Sequence, residues 1–217
     1  MKENPMFTLV IGNKNSSSWS LRPWLVLKML DEPFNEQLIP LFQPDTQSRI
    51  LAANPAGKVP VLLDSKIRVW DSLAICEYLA ECFPAARLWP EDMAERALAR
   101  SVAAEMHSGF AALRQHLPMD IVSRHSGFAV PEAAAADIRR IVEMWEELLH
   151  HHQDNGPFLF GHFTIADAMY APVVARFVSY DVELPPRSQA YADHILELPA
   201  MQQWYDDAEA EVGTPLV

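Results

Sequence analysis

Strand-forming sequence is confined to the first 70 residues of this 217-residue chain, and this asymmetry limits the folds available to it. Four segments there have the apolar or β-branched composition of short strands, and helix-forming segments separate most of them. The predicted strands are 7–11, 34–41, 61–63 and 67–70, and the predicted helices are a segment ending before Asp31, 45–53 and 71–83. The order βαβαββα predicts an α/β unit around a small mixed sheet.

The remainder of the chain predicts helices only. They cover 91–117, 131–153, a segment starting near Thr164, 187–197 and 199–211. Thr164 and Asp167 have the spacing of a capping box at a helix start, with Asp standing where Glu or Gln is preferred. We therefore expect an α/β domain over 1–83, a linker over 84–90 and an all-helical domain over 91–217.

Charge and composition argue against several classes of partner. The chain has 29 acidic and 17 basic residues and a net charge of −12, which disfavours nucleic acid and anionic membranes as partners. No apolar segment approaches the roughly 20 residues that cross a bilayer, and the start, MKENPMFTLVIG, lacks the pattern of a secretory signal. We expect a cytoplasmic protein.

The two cysteines and a triplet of histidines give no sequence evidence for a metal. Cys76 and Cys82 are six residues apart and lie on different faces of a predicted helix, which disfavours a local disulfide and favours a reducing compartment. His150, His151 and His152 are consecutive, and consecutive helical residues point in different directions. We predict no metal.

Ser16, Ser17 and Ser18 fall between the first strand and the first helix. In an open α/β sheet, ligands gather beyond the carboxyl ends of strands, where helix N-termini offer unpaired amides. One interpretation is that these hydroxyls only cap the helix. The other is that one donates to an anionic ligand such as a thiolate, whose pKa helix N-termini and donors lower. A nucleophilic serine is disfavoured because no Gly-x-Ser-x-Gly elbow is present.

Two further segments could bind a peptide. Lys58-Val59-Pro60 leads into a strand, and a cis bond before Pro60 would leave the Val59 amide and carbonyl free to pair with an extended chain. Asp71 and Ser72 open a helix, where they could cap it or receive an amino acid head group. Complements to a thiolate, a peptide backbone and an α-amino acid together fit glutathione.

These motifs resemble those of the cytosolic glutathione transferases over essentially the whole chain. The segment NPAGKVPVL from Asn54 is similar to that family's Asn-Pro-x-Gly-x-Val-Pro-x-Leu element, and DSLAICEYL from Asp71 resembles its helix start. Phe160-Gly161 followed by Thr164-Ile-Ala-Asp resembles its capping box in the helical domain. The resemblance implies a thioredoxin-like N-terminal domain that holds glutathione, an all-helical domain that holds a small hydrophobic electrophile, and a homodimer.

The Ser-Ser-Ser-Trp segment that ends at Trp19 and the downstream Arg22 are most similar to the motif of the serine-type zeta class, which includes maleylacetoacetate isomerases. Aligning them with the zeta motif places Asn15 on its first serine, Ser16 on its second and Ser17 on its cysteine. We predict Ser17, then Ser16, as the thiolate-stabilising hydroxyl, and Ser18 as a cap.

The resemblance also assigns the rest of the glutathione site. Val59, preceding a cis Pro60, would bind the cysteinyl backbone, Asp71 and Ser72 the γ-glutamyl head, and Lys58 the glycyl carboxylate.

Three functions follow from these assignments. The first is an enzyme that activates glutathione for conjugation to, or isomerisation of, an electrophile. The second is a glutathione-fold binding or scaffold protein with little turnover. The third, thiol–disulfide exchange or dehydroascorbate reduction, ranks last because no cysteine stands at the start of the first helix. We expect the electrophile pocket between the first loop and the helix that begins near residue 91. His107, Phe110 and Arg114 have the spacing of one face of that helix, but such a stripe is more often core than pocket, so they stay outside the predicted site.

Overall fold

A computed structural model describes residues 7–213, so the outer ends of the two predicted domains, 1–6 and 214–217, lie outside the described residues. Four strands, β1 (Phe7–Ile11), β2 (Phe34–Leu38), β3 (Val61–Asp64) and β4 (Ile67–Trp70), form one sheet in the order β2-β1-β3-β4. β1 pairs in parallel with β2 and antiparallel with β3, and β3 pairs antiparallel with β4. The mixed sheet is therefore confirmed.

Three helices accompany the sheet, which confirms the order βαβαββα. They are α1 (Ser18–Met29), α2 (Thr46–Ala53) and α3 (Ser72–Cys82). The second strand ends at Leu38 rather than at residue 41. Pro40 explains this difference because proline has no amide hydrogen for a strand ladder.

A short 3₁₀ helix, Pro84–Ala86, leads from the sheet domain to a domain of helices. The helices are α4 (Met93–Ser108), α5 (Ala111–His116), α6 (Glu132–His151), α7 (Ile165–Ser179), α8 (Pro186–Glu197) and α9 (Pro199–Gly213). Within residues 84–213 the only β pairing is a pair of isolated bridges between 158 and 162. No helix in the described part of the chain is long and apolar enough to cross a membrane.

The helix predicted over 91–117 is interrupted, and the expected face of His107, Phe110 and Arg114 is wrong. Gly109 is extended and Phe110 is left-handed, with φ of 53°, so α5 starts in a new direction. A Cβ on Gly109 would lie 2.6 Å from the Glu105 carbonyl oxygen, which restricts this turn to glycine.

Helix α7 lies at the centre of the molecule and connects the two domains. It packs against α1 of the sheet domain and α4 of the helical domain, and one hydrophobic core extends through both. Trp145 is fully buried against Tyr170, Phe177 and Tyr191 at ring-centroid distances of 4.9–5.8 Å. The first loop and α1 are therefore positioned by the helical domain as well as by the sheet.

The predicted capping box at the start of α7 is present. The Asp167 carboxylate is fully buried and accepts hydrogen bonds from the Thr164 amide and hydroxyl, the Leu159 amide and the Tyr191 hydroxyl. Burial raises the pKa of Asp167 to about 6, and the four donors oppose that increase. This carboxylate connects the start of α7 to the preceding loop and to α8.

Candidate functional site

A cavity of about 550 Å³ opens between the β1–α1 loop, the turn before β3, the start of α3 and the end of α4. Every residue predicted for the site lies on its wall: Ser16, Ser17, Lys58, Val59, Pro60, Asp71 and Ser72. Trp19, Trp70 and His107 also line it. Segments that are up to 91 positions apart in sequence, from Ser16 to His107, thus meet around one space large enough for a small peptide.

Ser17 stands at the N-cap position of α1, but its side chain makes no capping hydrogen bond. The Ser17 hydroxyl lies 2.7 Å from that of Ser20, which also accepts a hydrogen bond from the Gly12 amide at 3.1 Å. If the Ser20 hydroxyl donates to Ser17, the Ser17 proton remains available to a ligand in the cavity. This geometry matches the ligand-donor interpretation of Ser17 better than the cap interpretation.

The prediction that Ser18 caps the helix is wrong. Ser18 is the first residue of α1, and its hydroxyl accepts a hydrogen bond from Arg176 Nη2 on α7 at 3.0 Å. It is a buried contact between the two domains.

Asn15, which aligns with the first serine of the zeta motif, also forms hydrogen bonds with the helical domain. Its side-chain amide donates to Asp120 Oδ1 at 3.1 Å, and its side-chain oxygen accepts from the Val122 amide at 3.0 Å. The departure from the zeta motif therefore places an anchoring side chain before the serines.

Positive charge is buried behind the serine loop. The Arg22 guanidinium is 1% exposed and lies 4.3 Å from the ring centroid of Trp19, which lines the cavity. Burial, followed by repulsion from Arg176, lowers the pKa of Arg22 to about 9. Among the described residues, Arg22 Nε and Nη1 have no hydrogen-bond partner. Because buried cations favour nearby anions, this arrangement complements a negatively charged ligand.

The turn before β3 has the geometry on which peptide binding depends. The Val59–Pro60 bond is cis, as predicted. Asn54 fixes the turn because its side-chain amide donates to the Lys58 carbonyl at 2.7 Å and its oxygen accepts from the Ala56 amide at 3.0 Å. The partly buried Val59 and the exposed Lys58 are left facing the cavity.

The start of α3 combines a cap with an unpartnered hydroxyl. Asp71 Oδ1 accepts from the Leu73 and Ala74 amides, as the capping interpretation expects, and Oδ2 lies 3.1 Å from His107 Nε2. Ser72 is 1% exposed, and its hydroxyl has no hydrogen-bond partner in residues 7–213. A buried hydroxyl without a partner on a cavity wall indicates a ligand-binding group.

His107 also lines the cavity, although it lies outside the set of residues predicted to bind glutathione. Its ring lies edge-on to Trp19 at a centroid distance of 5.3 Å. Burial lowers the pKa of His107 although Asp71 opposes the effect, so the imidazole is neutral at pH 7. The packing of α4 on α3 and the end of α4 at Gly109 bring His107 to the cavity beside Asp71.

Comparison with known proteins identifies the family of the chain. A family model described as the N-terminal domain of glutathione S-transferase matches residues 16–82, and one described as the C-terminal domain matches 94–207. A probable maleylacetoacetate isomerase of Caenorhabditis elegans is 27% identical, covering 92% of this chain and 93% of that protein. A maleylacetoacetate isomerase of Rattus norvegicus is 31% identical over 80% and 79%.

Comparison with solved structures identifies the same family. The crystal structure of a glutathione transferase homolog from Burkholderia gl BGR1, with bound glutathione, has a TM-score of 0.71 and 26% identity, covering 94% of this chain and 98% of that one. The two family models match the chain in the expected order, and the relatives are matched over most of their length. Together these matches identify the fold and the family. The chain belongs to the glutathione S-transferase family.

Proposed function

We propose that this protein binds glutathione in the cavity as its co-substrate and activates the thiol as a thiolate for conjugation to, or isomerisation of, a small hydrophobic electrophile. The observation that supports this most is the Ser17 hydroxyl on the cavity wall at the start of α1, with Ser20 placed to donate to it. The relatives named maleylacetoacetate isomerase and the neighbour with bound glutathione support the same chemistry.

The energy that this activation needs is small. Lowering the pKa of a free thiol, near 8.5, to about 6.5 requires roughly 2.7 kcal/mol of preference for the thiolate. One hydroxyl donor and the positive end of α1 are together of that size. Arg22 behind Trp19 adds to the positive potential. The protein therefore needs no covalent intermediate of its own.

The remaining contacts position the peptide. Val59 presents its backbone to the cysteinyl residue, as an edge strand does. The Asp71 carboxylate and the unpartnered Ser72 hydroxyl complement the charged γ-glutamyl head, and exposed Lys58 complements the glycyl carboxylate. Trp19, Trp70 and His107 form the aromatic wall on which the second substrate packs.

Isomerisation of an acidic electrophile is the more specific form of the proposal. The thiolate would add to a carbon–carbon double bond, rotation would follow, and the same thiolate would leave, so that glutathione is regenerated. The positive charge of Arg22, buried behind Trp19, favours a substrate that carries a carboxylate. Conjugation would instead consume glutathione, which separates the two reactions.

Ultraviolet titration of the glutathione complex tests the proposal against a scaffold role. We expect a thiolate absorbance band that is present at pH 7 and disappears near pH 6, because donors in the cavity lower the pKa of the bound thiol. Free glutathione at the same concentration is the control. Binding without any change in the pKa of the thiol would contradict catalysis and favour the scaffold.

Homodimer formation is the second part of the proposal. Phe42 is 88% exposed at the turn after β2, and further large apolar side chains are exposed on the sheet domain and the start of α4. These are Leu38, Leu51, Ile67, Met93 and Leu98. Exposed apolar groups in this number favour a protein interface. Exposed Cys82, a free thiol, supports a cytoplasmic location.

Replacing Phe42 with aspartate should convert the dimer to a monomer, because it places a charge in a desolvated interface. Light scattering after gel filtration measures this as a change from twice 24.5 kDa to 24.5 kDa. Phe128→Asp is the matched control, since Phe128 is also exposed but lies between α5 and α6. A wild-type protein that runs at 24.5 kDa would contradict the dimer.

A further inference from the structure

Three side chains at the far end of α4 form a cluster that the proposed reaction does not use. Glu95 lies in the first turn of α4, His151 is the last residue of α6, and His152 follows it. One carboxylate oxygen and two imidazole nitrogens from these residues lie within 4.8 Å of one another. This combination of a carboxylate and two imidazoles is typical of zinc sites.

The end of α6 brings the two histidines together. The expectation that consecutive histidines diverge assumed a continuous helix, but His152 has φ of −102° and ψ of 11° and has left it. The rings of His151 and His152 therefore lie 4.7 Å apart at an angle of 84°, and both reach Glu95.

The buried half of the cluster has unsatisfied polar atoms. Glu95 Oε2 and His152 Nε2 are 3.0 Å apart and inaccessible to solvent, and within residues 7–213 neither atom has a partner beyond this contact. Buried polar atoms usually have their full set of partners, so this pair retains capacity to ligate an ion.

We propose that Glu95, His151 and His152 bind a divalent transition-metal ion of the zinc class. Tetrahedral coordination with bonds of about 2.0–2.1 Å separates neighbouring ligand atoms by about 3.3 Å. His152 Nε2 lies 3.0 Å from Glu95 Oε2 and His151 Nε2 lies 3.7 Å from Glu95 Oε1, so each imidazole faces one oxygen of the carboxylate at a distance close to that value. Exposed His151 leaves the fourth position to water.

The ion would connect the start of α4 to the end of α6, away from the glutathione cavity. Glu95 and His107 are 12 residues apart on α4, which corresponds to about 18 Å along the helix axis. We therefore assign it a structural or regulatory role, in which metal stabilises the helical domain without touching the reacting thiol. The proposal does not depend on the glutathione chemistry.

Calorimetric titration of the tag-free protein with zinc chloride tests this site. We expect one zinc ion per chain, a rise in Tm on binding, and at least a tenfold loss of affinity in His151→Asn and Glu95→Gln. His151 is exposed, so its replacement leaves folding intact. His150→Asn is the matched control, because His150 is a neighbouring exposed histidine outside the cluster.

X-ray absorption of the zinc complex should show nitrogen and oxygen ligands at about 2.0–2.1 Å, including imidazole. The proposal is overturned if the wild type binds no zinc at micromolar concentration, if His151→Asn binds as the wild type does, or if His150→Asn loses as much affinity. Glutathione turnover should be unchanged in His151→Asn, and this readout is independent of zinc binding.

Discussion

Replacing Ser17 with alanine should return the pKa of bound glutathione toward 8.5 and lower kcat/KM at pH 6.5 by about 100-fold or more. Removing one preorganised donor from a developing or resident anion typically costs a factor of 10²–10³. Ser17 is 6% exposed and pairs with Ser20, so its hydroxyl is held in one orientation rather than shared with water. The measurements are the thiolate absorbance of the complex and the pH dependence of kcat/KM.

Ser16→Ala is the comparison that makes this result specific. Ser16 lies on the same wall, but within residues 7–213 no hydrogen bond of its hydroxyl orders it as Ser20 orders Ser17. We expect a change of less than tenfold. A larger loss in Ser16→Ala than in Ser17→Ala would transfer the role to Ser16, and unchanged thiol pKa values in both variants would contradict stabilisation by a hydroxyl.

The largest effect on stability is expected at Asp167. Asp167→Asn should lower the free energy of unfolding by about 3 kcal/mol, because two of the four donors around the carboxylate would face an amide NH₂ group. Urea unfolding at pH 7 measures this loss. The matched control is Asp92→Asn. Asp92 caps α4 at the surface by accepting hydrogen bonds from the Ala94 and Glu95 amides, and its replacement should lower the free energy of unfolding much less.

The effect of Asp167 should also depend on pH in a defined direction. Its pKa is about 6 in the folded protein and 3.8 ordinarily, so the folded state binds more protons than the unfolded state between these values. The contribution of this group to stability therefore rises as pH falls from about 6 toward 4. The stability difference between wild type and Asp167→Asn should be larger at pH 5 than at pH 7. An equal difference at the two pH values would show that the carboxylate stays ionised.

Local sequence pattern was sufficient to predict most of the helices and strands of this fold. Alternation and apolar composition marked β1 and β3, turn chemistry marked the segment before Pro60, and the Thr164–Asp167 spacing marked the start of α7. Each of these signals depends on residues within a few positions of one another. Local motifs also identified the wall residues of the proposed glutathione cavity, since each of the three segments carries its own motif.

Contacts between distant segments were not predictable in this way. Ser18 pairs with a residue 158 positions away, and Glu95 meets His152 across 57 positions. His107 reaches Asp71 only because α4 packs on α3 and stops at Gly109. A glycine inside a helical pattern signals a break, but its neighbours in space depend on how whole helices pack.

The serine loop is held from outside its own domain, by Asp120 and Val122 through Asn15 and by Arg176 through Ser18. The two halves of the molecule are consequently not exchangeable modules. A chimera that joins residues 7–83 to the helices of another family member would keep its chemistry only if the new helices supplied equivalents of these anchors. We therefore expect a new substrate range to evolve through substitutions at positions of the helical half that do not support the loop.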